Sequence, residues 1–288
     1  MRLSSLLKFF TLTFVATWTC FLSAVAISHG SASTNPRLAV IRGLVFVGTF
    51  APALVALVLT ARAGAISGTK ALLRRMLQWR VGTRWYLFAV SYMAAIKLTV
   101  ALVHRVMTGS WPRFGDEPLG IIMVAIIIST PFQSGEEIGW RGYALPRLAD
   151  RFGFARASIA LGLIWAIWHL PLFFLAIPGN DEYGQSFPVW ALGVTALSVA
   201  FAWLYTHSKG SLLLTMLMHS AVNNIPHFVP SAVANTSGAF SLHASLAAWL
   251  TVGFLWITAA YFLVRMPMGE LPAAGRATSD LGGDVTVS

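Results

Sequence analysis

The sequence predicts an all-α polytopic membrane protein, with about eight transmembrane helices enclosing an intramembrane site. Composition is the first reason. Of 288 residues, 57% are hydrophobic and only 10% are charged, with a mean hydropathy of +0.71, whereas soluble domains carry about 25% charged residues. Periodicity is the second. Apolar runs of about 20 residues recur, each long enough to cross a hydrocarbon core as a helix, and the short alternating segments of a membrane β-barrel are absent. The third is a pair of adjacent carboxylates, Glu136 and Glu137, at the end of one such run. A charge at that depth costs at least a few kcal/mol and faces a polar cavity rather than lipid.

The first run, Ser4–Ser28, follows Arg2 and Lys8 and ends near Ala24-Val25-Ala26, a signal-peptide-like pattern. Its length favours an uncleaved span. Asn35-Pro36 marks a turn, and the second span covers Leu38–Ala61, with Pro52 as an expected kink. The connector Arg62–Arg84 separates apolar from cationic residues around Leu72–Arg80, which reads as a helix lying in the membrane interface. The third span, Trp85–Val103, contains Lys97, expected to snorkel or to pair structurally. A fourth follows Pro118, bends at Pro131 and continues to Leu148. The remaining spans are expected at Ala157–Ile177, Phe187–Tyr205, Ser211–Ile225 and Leu242–Val264. The chain then divides into N-terminal helices (1–120), a motif-bearing core (121–227), a last helix (228–265) and a tail (266–288) with the composition of a disordered segment.

The net charge of +10 does not indicate nucleic acid, because the cations sit in connectors. Arg62, Lys70, Arg74, Arg75, Arg80, Arg84, Arg147, Arg151, Arg156, Lys209, Arg265 and Arg276 are all expected on one side of an eight-span topology, against Arg37, Arg105 and Arg113 on the other. The positive-inside rule puts both termini in the cytoplasm of a multi-pass cell-membrane protein, with the bilayer and its anionic lipids as partners. Cys20 is the only cysteine, so intrachain disulfides and cysteine metal clusters are excluded.

Ten acidic residues occur in the chain, and only Glu136 and Glu137 are expected at membrane depth; of seven histidines, His169 and His219 are well inside spans. Glu137 and Arg141 are spaced i, i+4 and face each other in the favourable order. Glu136 points about 100° away and lacks a sequence-local counter-ion. His219 and Asn223 share a face at i, i+4, and Pro171 frees a backbone carbonyl beside His169. At about 1.5 Å per residue, Glu136, His169 and His219 reach similar depths, which suggests one shared, water-accessible site opening toward the cytoplasm. The Trp, Phe and Met residues of the spans are expected to face lipid or to pack.

In order, Glu136-Glu137-x-x-x-Arg141, Trp165-x-x-x-His169 and His219-x-x-x-Asn223 resemble the CPBP family, the type II CAAX-prenyl-endopeptidase-like and bacteriocin-processing or immunity (Abi) intramembrane proteases. That family carries EExxxR, FxxxH and HxxxN or HxxxB on separate helices; Trp165 stands here where Phe is commoner. The resemblance implies an intramembrane endopeptidase acting on a peptide or membrane-protein substrate. Glu136 is then the base that activates water, His169 shares that water, and His219 with Asn223 faces the developing oxyanion. Glu137 and Arg141 support the motif. A metal-free glutamate mechanism is preferred; zinc on Glu136, His169 and His219 is the rival. The alternative functions are a non-catalytic membrane immunity or interaction protein and a proton-coupled transporter, although no internal repeat of the kind transporters carry is present.

Overall fold

Nine α-helices among the described residues pack around one buried motif segment, in a computed structural model that describes residues 2–29, 35–228 and 238–266. No strand occurs among the described residues, and the expected disordered tail lies outside them from residue 267. The helices are α1 (Arg2–Ser28), α2 (Asn35–Arg74), α3 (Thr83–Thr108), α4 (Leu119–Ser129), α5 (Ser134–Glu137), α6 (Leu145–His169), α7 (Phe187–His207), α8 (Leu212–Asn224) and α9 (Leu246–Arg265). A 3-10 turn at Thr130–Gln133 joins α4 to α5, and a π-helical turn at Ile138–Ala144 joins α5 to α6.

Six segments among the described residues are long and apolar enough to cross a membrane, against the eight spans expected. The difference has two local causes. Leu119–Phe174 forms one 56-residue stretch, but it is broken into two helices by a kink at Gly153, where φ is 74° and ψ 158°. Only glycine adopts that conformation without strain. The other cause is α8, which has 13 residues and so reaches only about 20 Å. Its Leu212, Leu214, Thr215, Met216, Met218, His219, Ser220 and Ala221 are buried, so neighbouring helices rather than lipid cover it.

The second span is longer than expected. It runs unbroken past Ala61 to Arg74, through Pro52. The basic connector therefore does not lie wholly in the interface. Arg75 is buried, donates through Nε to the Gly210 carbonyl at 2.9 Å, hydrogen-bonds the Tyr205 hydroxyl and lies over the Tyr205 ring. Leu72, three residues earlier, is also buried. The connector docks by this face onto the start of α8 while Arg74 and Arg80 remain exposed.

Close approach of α2 to the motif segment sets the position of the site. A Cβ on Gly139 would meet Pro52 Cβ at 2.5 Å and its backbone carbon at 2.7 Å, so only glycine permits this contact. Gly135, one turn earlier, faces Thr49 and Phe50 in the same seam; such small-xxx-small spacing lets membrane helices approach closely. On the opposite side α1 supports the segment. Phe9 packs on Trp140 and Tyr143, Phe21 packs on Trp168, and Trp18 donates to the Trp168 carbonyl at 3.2 Å.

Candidate active site

The motif segment is helical but not uniformly α-helical. Pro131 lies in the 3-10 turn and the carboxylates in the single α-turn that follows. The π-helical turn then carries Trp140 and Arg141. Short π-turns widen a helix locally and recur at functional sites. Every residue from Gly135 to Ala144 is buried, so these polar groups must find partners inside the protein.

Glu137 and Arg141 do so as expected. Arg141 Nη1 donates to Glu137 Oε1 at 2.7 Å, with both side chains at or below 1% exposure. The guanidinium is held between the Trp165 ring at 4.3 Å and the Phe201 ring at 4.1 Å, a cation–π sandwich that partly offsets its removal from water. His219 adds a contact absent from the sequence reading. Its Nδ1 lies 2.8 Å from the same Glu137 Oε1. An acceptor carboxylate there places the proton on Nδ1 and turns Nε2 toward the cavity.

Glu136 is buried at 6% exposure, and its partners overturn the expectation that the tryptophans only pack or face lipid. Trp165 Nε1 donates to Glu136 Oε2 at 2.7 Å, and Trp140 Nε1 donates to the same oxygen at 3.3 Å. Both indoles are pure donors, and a buried indole N–H needs an acceptor. Glu136 thus has a sequence-local partner, neutral rather than cationic, at i+4. Its other oxygen, Oε1, lies 3.9 Å from His219 Nε2. That is too long for a direct hydrogen bond and suited to one bridging water.

Trp165 is the hub of the arrangement. Besides its bond to Glu136 and its contact with Arg141, it meets His169 and His219 edge-on, with ring centroids 5.6 and 5.5 Å away. His169 Nδ1 donates to the Trp165 carbonyl at 2.9 Å, which leaves Nε2 as an acceptor. Trp168 and Trp190 enclose the His169 ring. His219 is fixed through α8, where Ser220 donates to the Ile126 carbonyl at 2.7 Å and Asn224 donates to Ser129 Oγ at 3.0 Å.

Glu136, His169, His219 and Asn223 all line one cavity of about 1170 Å³, and Asn223 is exposed to it. The structure therefore brings the four expected residues together. It differs over the opening. The cavity walls include Ile177–Tyr183, Pro226 and His227, with Ala244 and Ser245, all at the end of the bundle opposite the basic connectors. An opening toward the basic end is thus contradicted; equal depth of the three groups carried no information about which end was open.

Glu182 was also missed, because it sits in a connector where acids are unremarkable. It lines the cavity and is half-buried. Loss of surrounding water pushes its carboxyl above the ordinary range, with Asp181 and Glu136 adding to the rise and His169 opposing it. Lys97 neither snorkels nor pairs: it is 8% exposed and lines the same cavity. Among the described residues, no three His, Cys, Asp or Glu side chains converge in a metal-holding group.

Comparison with known proteins agrees with the motif pattern. Residues 116–225 match the family model described as type II CAAX prenyl endopeptidase Rce1-like. A relative from Methanococcus maripaludis, CAAX prenyl protease 2, is 23% identical over 229 residues, covering 75% of this chain and 81% of its own length. The buried motifs and these matches together support membership of the CPBP family, to whose Rce1-like, type II CAAX prenyl endopeptidase model this chain is similar.

Proposed function

We propose that this chain hydrolyses a peptide bond inside the membrane by water activation at Glu136, without a metal. The observation that carries the reading is the asymmetric hold on Glu136. Two indole N–H groups occupy Oε2, and Oε1 faces His219 Nε2 across 3.9 Å in a cavity. A water between them gives a proton to Glu136 as its oxygen attacks the scissile carbonyl carbon. His169 Nε2 orients that water by accepting its second hydrogen. The Asn223 carboxamide N–H faces the carbonyl oxygen, where charge develops, with the His219 ring beside the water. Collapse of the tetrahedral species breaks the C–N bond, and Glu136 returns its proton to the leaving amine. Arg141 and Glu137 fix the segment and the His219 tautomer.

The matched relative is named a CAAX prenyl protease, so a prenylated protein carboxy-terminal segment is the first substrate class to try. Both termini are assigned to the cytoplasm from the distribution of cations. The test compares membrane peptidomes of cells carrying the wild type or Glu136→Ala, with insertion verified. The proposal expects fragments present only with the wild type. Identical peptidomes, with the biological role intact in the variant, would favour an interaction function.

A further inference from the structure

Lys97 is a buried cation that the reaction described above does not use. It falls on the stripe of α3 that faces protein, with Ala89, Tyr92, Met93, Ile96, Val100 and Ala101 all buried along the same face. Its position excludes a lipid headgroup as counter-ion, since it lies roughly 21 Å from the start of α3 at Thr83 and 16–17 Å from its end at Thr108. Among the described residues, no carboxylate pairs with it and no oxygen accepts a hydrogen bond from it. An ammonium so placed carries an uncompensated desolvation cost of several kcal/mol. Its outlet is the cavity, which it lines together with Met93, Val194, Asn223, Val252 and Leu255.

We propose that Lys97 anchors the free C-terminal carboxylate of the peptide substrate in the catalytic cavity. The assignment rests on the proteolytic reading, because it takes the occupant of the cavity to be a peptide. An anion there supplies the missing counter-charge, and Met93, Val194, Val252 and Leu255 of the same lining suit apolar residues preceding it. The enzyme then measures its cleavage site from the end of the chain.

The test uses purified protein in detergent and two matched libraries of apolar peptides, one of free acids and one of C-terminal amides, with products mapped by mass spectrometry. The wild type is expected to favour acids over amides at least tenfold in kcat/KM. In Lys97→Gln the ratio falls to near one, and Lys97→Arg retains most of it. Lys97→Met, which removes the unpaired charge at similar volume, is expected to raise Tm. A wild type that does not discriminate, or a preference surviving in Lys97→Gln, overturns the assignment. A preference for Asp or Glu side chains that ignores amidation and disappears in Lys97→Gln overturns the C-terminal reading in favour of side-chain carboxylates. If neither library is cleaved, the proteolytic reading is left to the peptidome comparison above, and Lys97 is decided separately by retention of both libraries on immobilised Glu136→Gln protein. There, acid peptides held more strongly, and released by adding Lys97→Gln, support the anchor; equal retention overturns it.

Discussion

Glu136 is set apart from Glu137 by which atoms hold it. Glu137 receives charged or ionisable donors from Arg141 and His219, whereas Glu136 receives two neutral indoles on one oxygen. Trp165→Phe keeps a ring over Arg141 and against both histidines but deletes the shorter of these bonds. We expect kcat to fall about tenfold, the scale of one hydrogen bond to a charged group, with little change in KM, as measured on any cleaved peptide. Of the site, Glu136, Glu137, Arg141, His169, His219 and Asn223 were legible from rarity and helical spacing. Trp140 was readable in principle, being four residues after Glu136. Glu182 was not, because no periodicity predicts which loop residue turns inward. Its raised carboxyl has a consequence for stability. Between the ordinary carboxylate range and the raised folded value the native state binds more protons than the unfolded chain, so stability falls as pH rises through that window. Glu182→Gln should therefore melt above the wild type at neutral pH, and the gap should close in acid below the ordinary range. A pH-independent gap in Tm would dissociate Glu182 from that titration.

At the scale of elements, a helix between Pro118 and Leu148 was legible, but its interruptions were not. Hydrophobic periodicity reports a mean of 3.6 residues per turn and averages out a 3-10 turn followed by a π-turn. The Gly135-x-x-x-Gly139 spacing was the available clue to close packing. Gly139→Val places methyl groups where Pro52 backbone already stands, so α2 must move away from the carboxylates. Overpacking of this kind costs about 1–3 kcal/mol or more. We expect a lower Tm and an activity loss exceeding that of Gly120→Val, whose added Cβ meets nothing within 4 Å. Lys97 shows the opposite error. Its stripe on α3 was present in the sequence, yet a general rule about snorkelling displaced the local pattern.

For the whole molecule, composition was enough to predict a multi-pass helical protein, and charge distribution to propose its orientation. Neither encodes where the helices splay, and the cavity opens at the end away from the cations. With the proposed cytoplasmic termini, that geometry would turn Asp181 and His227 toward the far side of the membrane. In a Cys20→Ser background, an impermeant thiol reagent applied to intact cells is expected to label Asp181→Cys but to reach Lys209→Cys only after permeabilisation. The reverse pattern would invert the topology while leaving the site unchanged.

Metal-free activation of water by Glu136 is the centre of this account, and one comparison addresses it most directly. Wild type and Glu136→Gln are purified, stripped with chelator, assayed for residual metal, and compared on one cleaved peptide. The stripped wild type is expected to retain its kcat, and Glu136→Gln to lose at least a thousandfold, roughly 4 kcal/mol of barrier. A stripped wild type that is inactive until zinc is returned, or a glutamine variant within tenfold of the wild type, would contradict metal-free activation by Glu136.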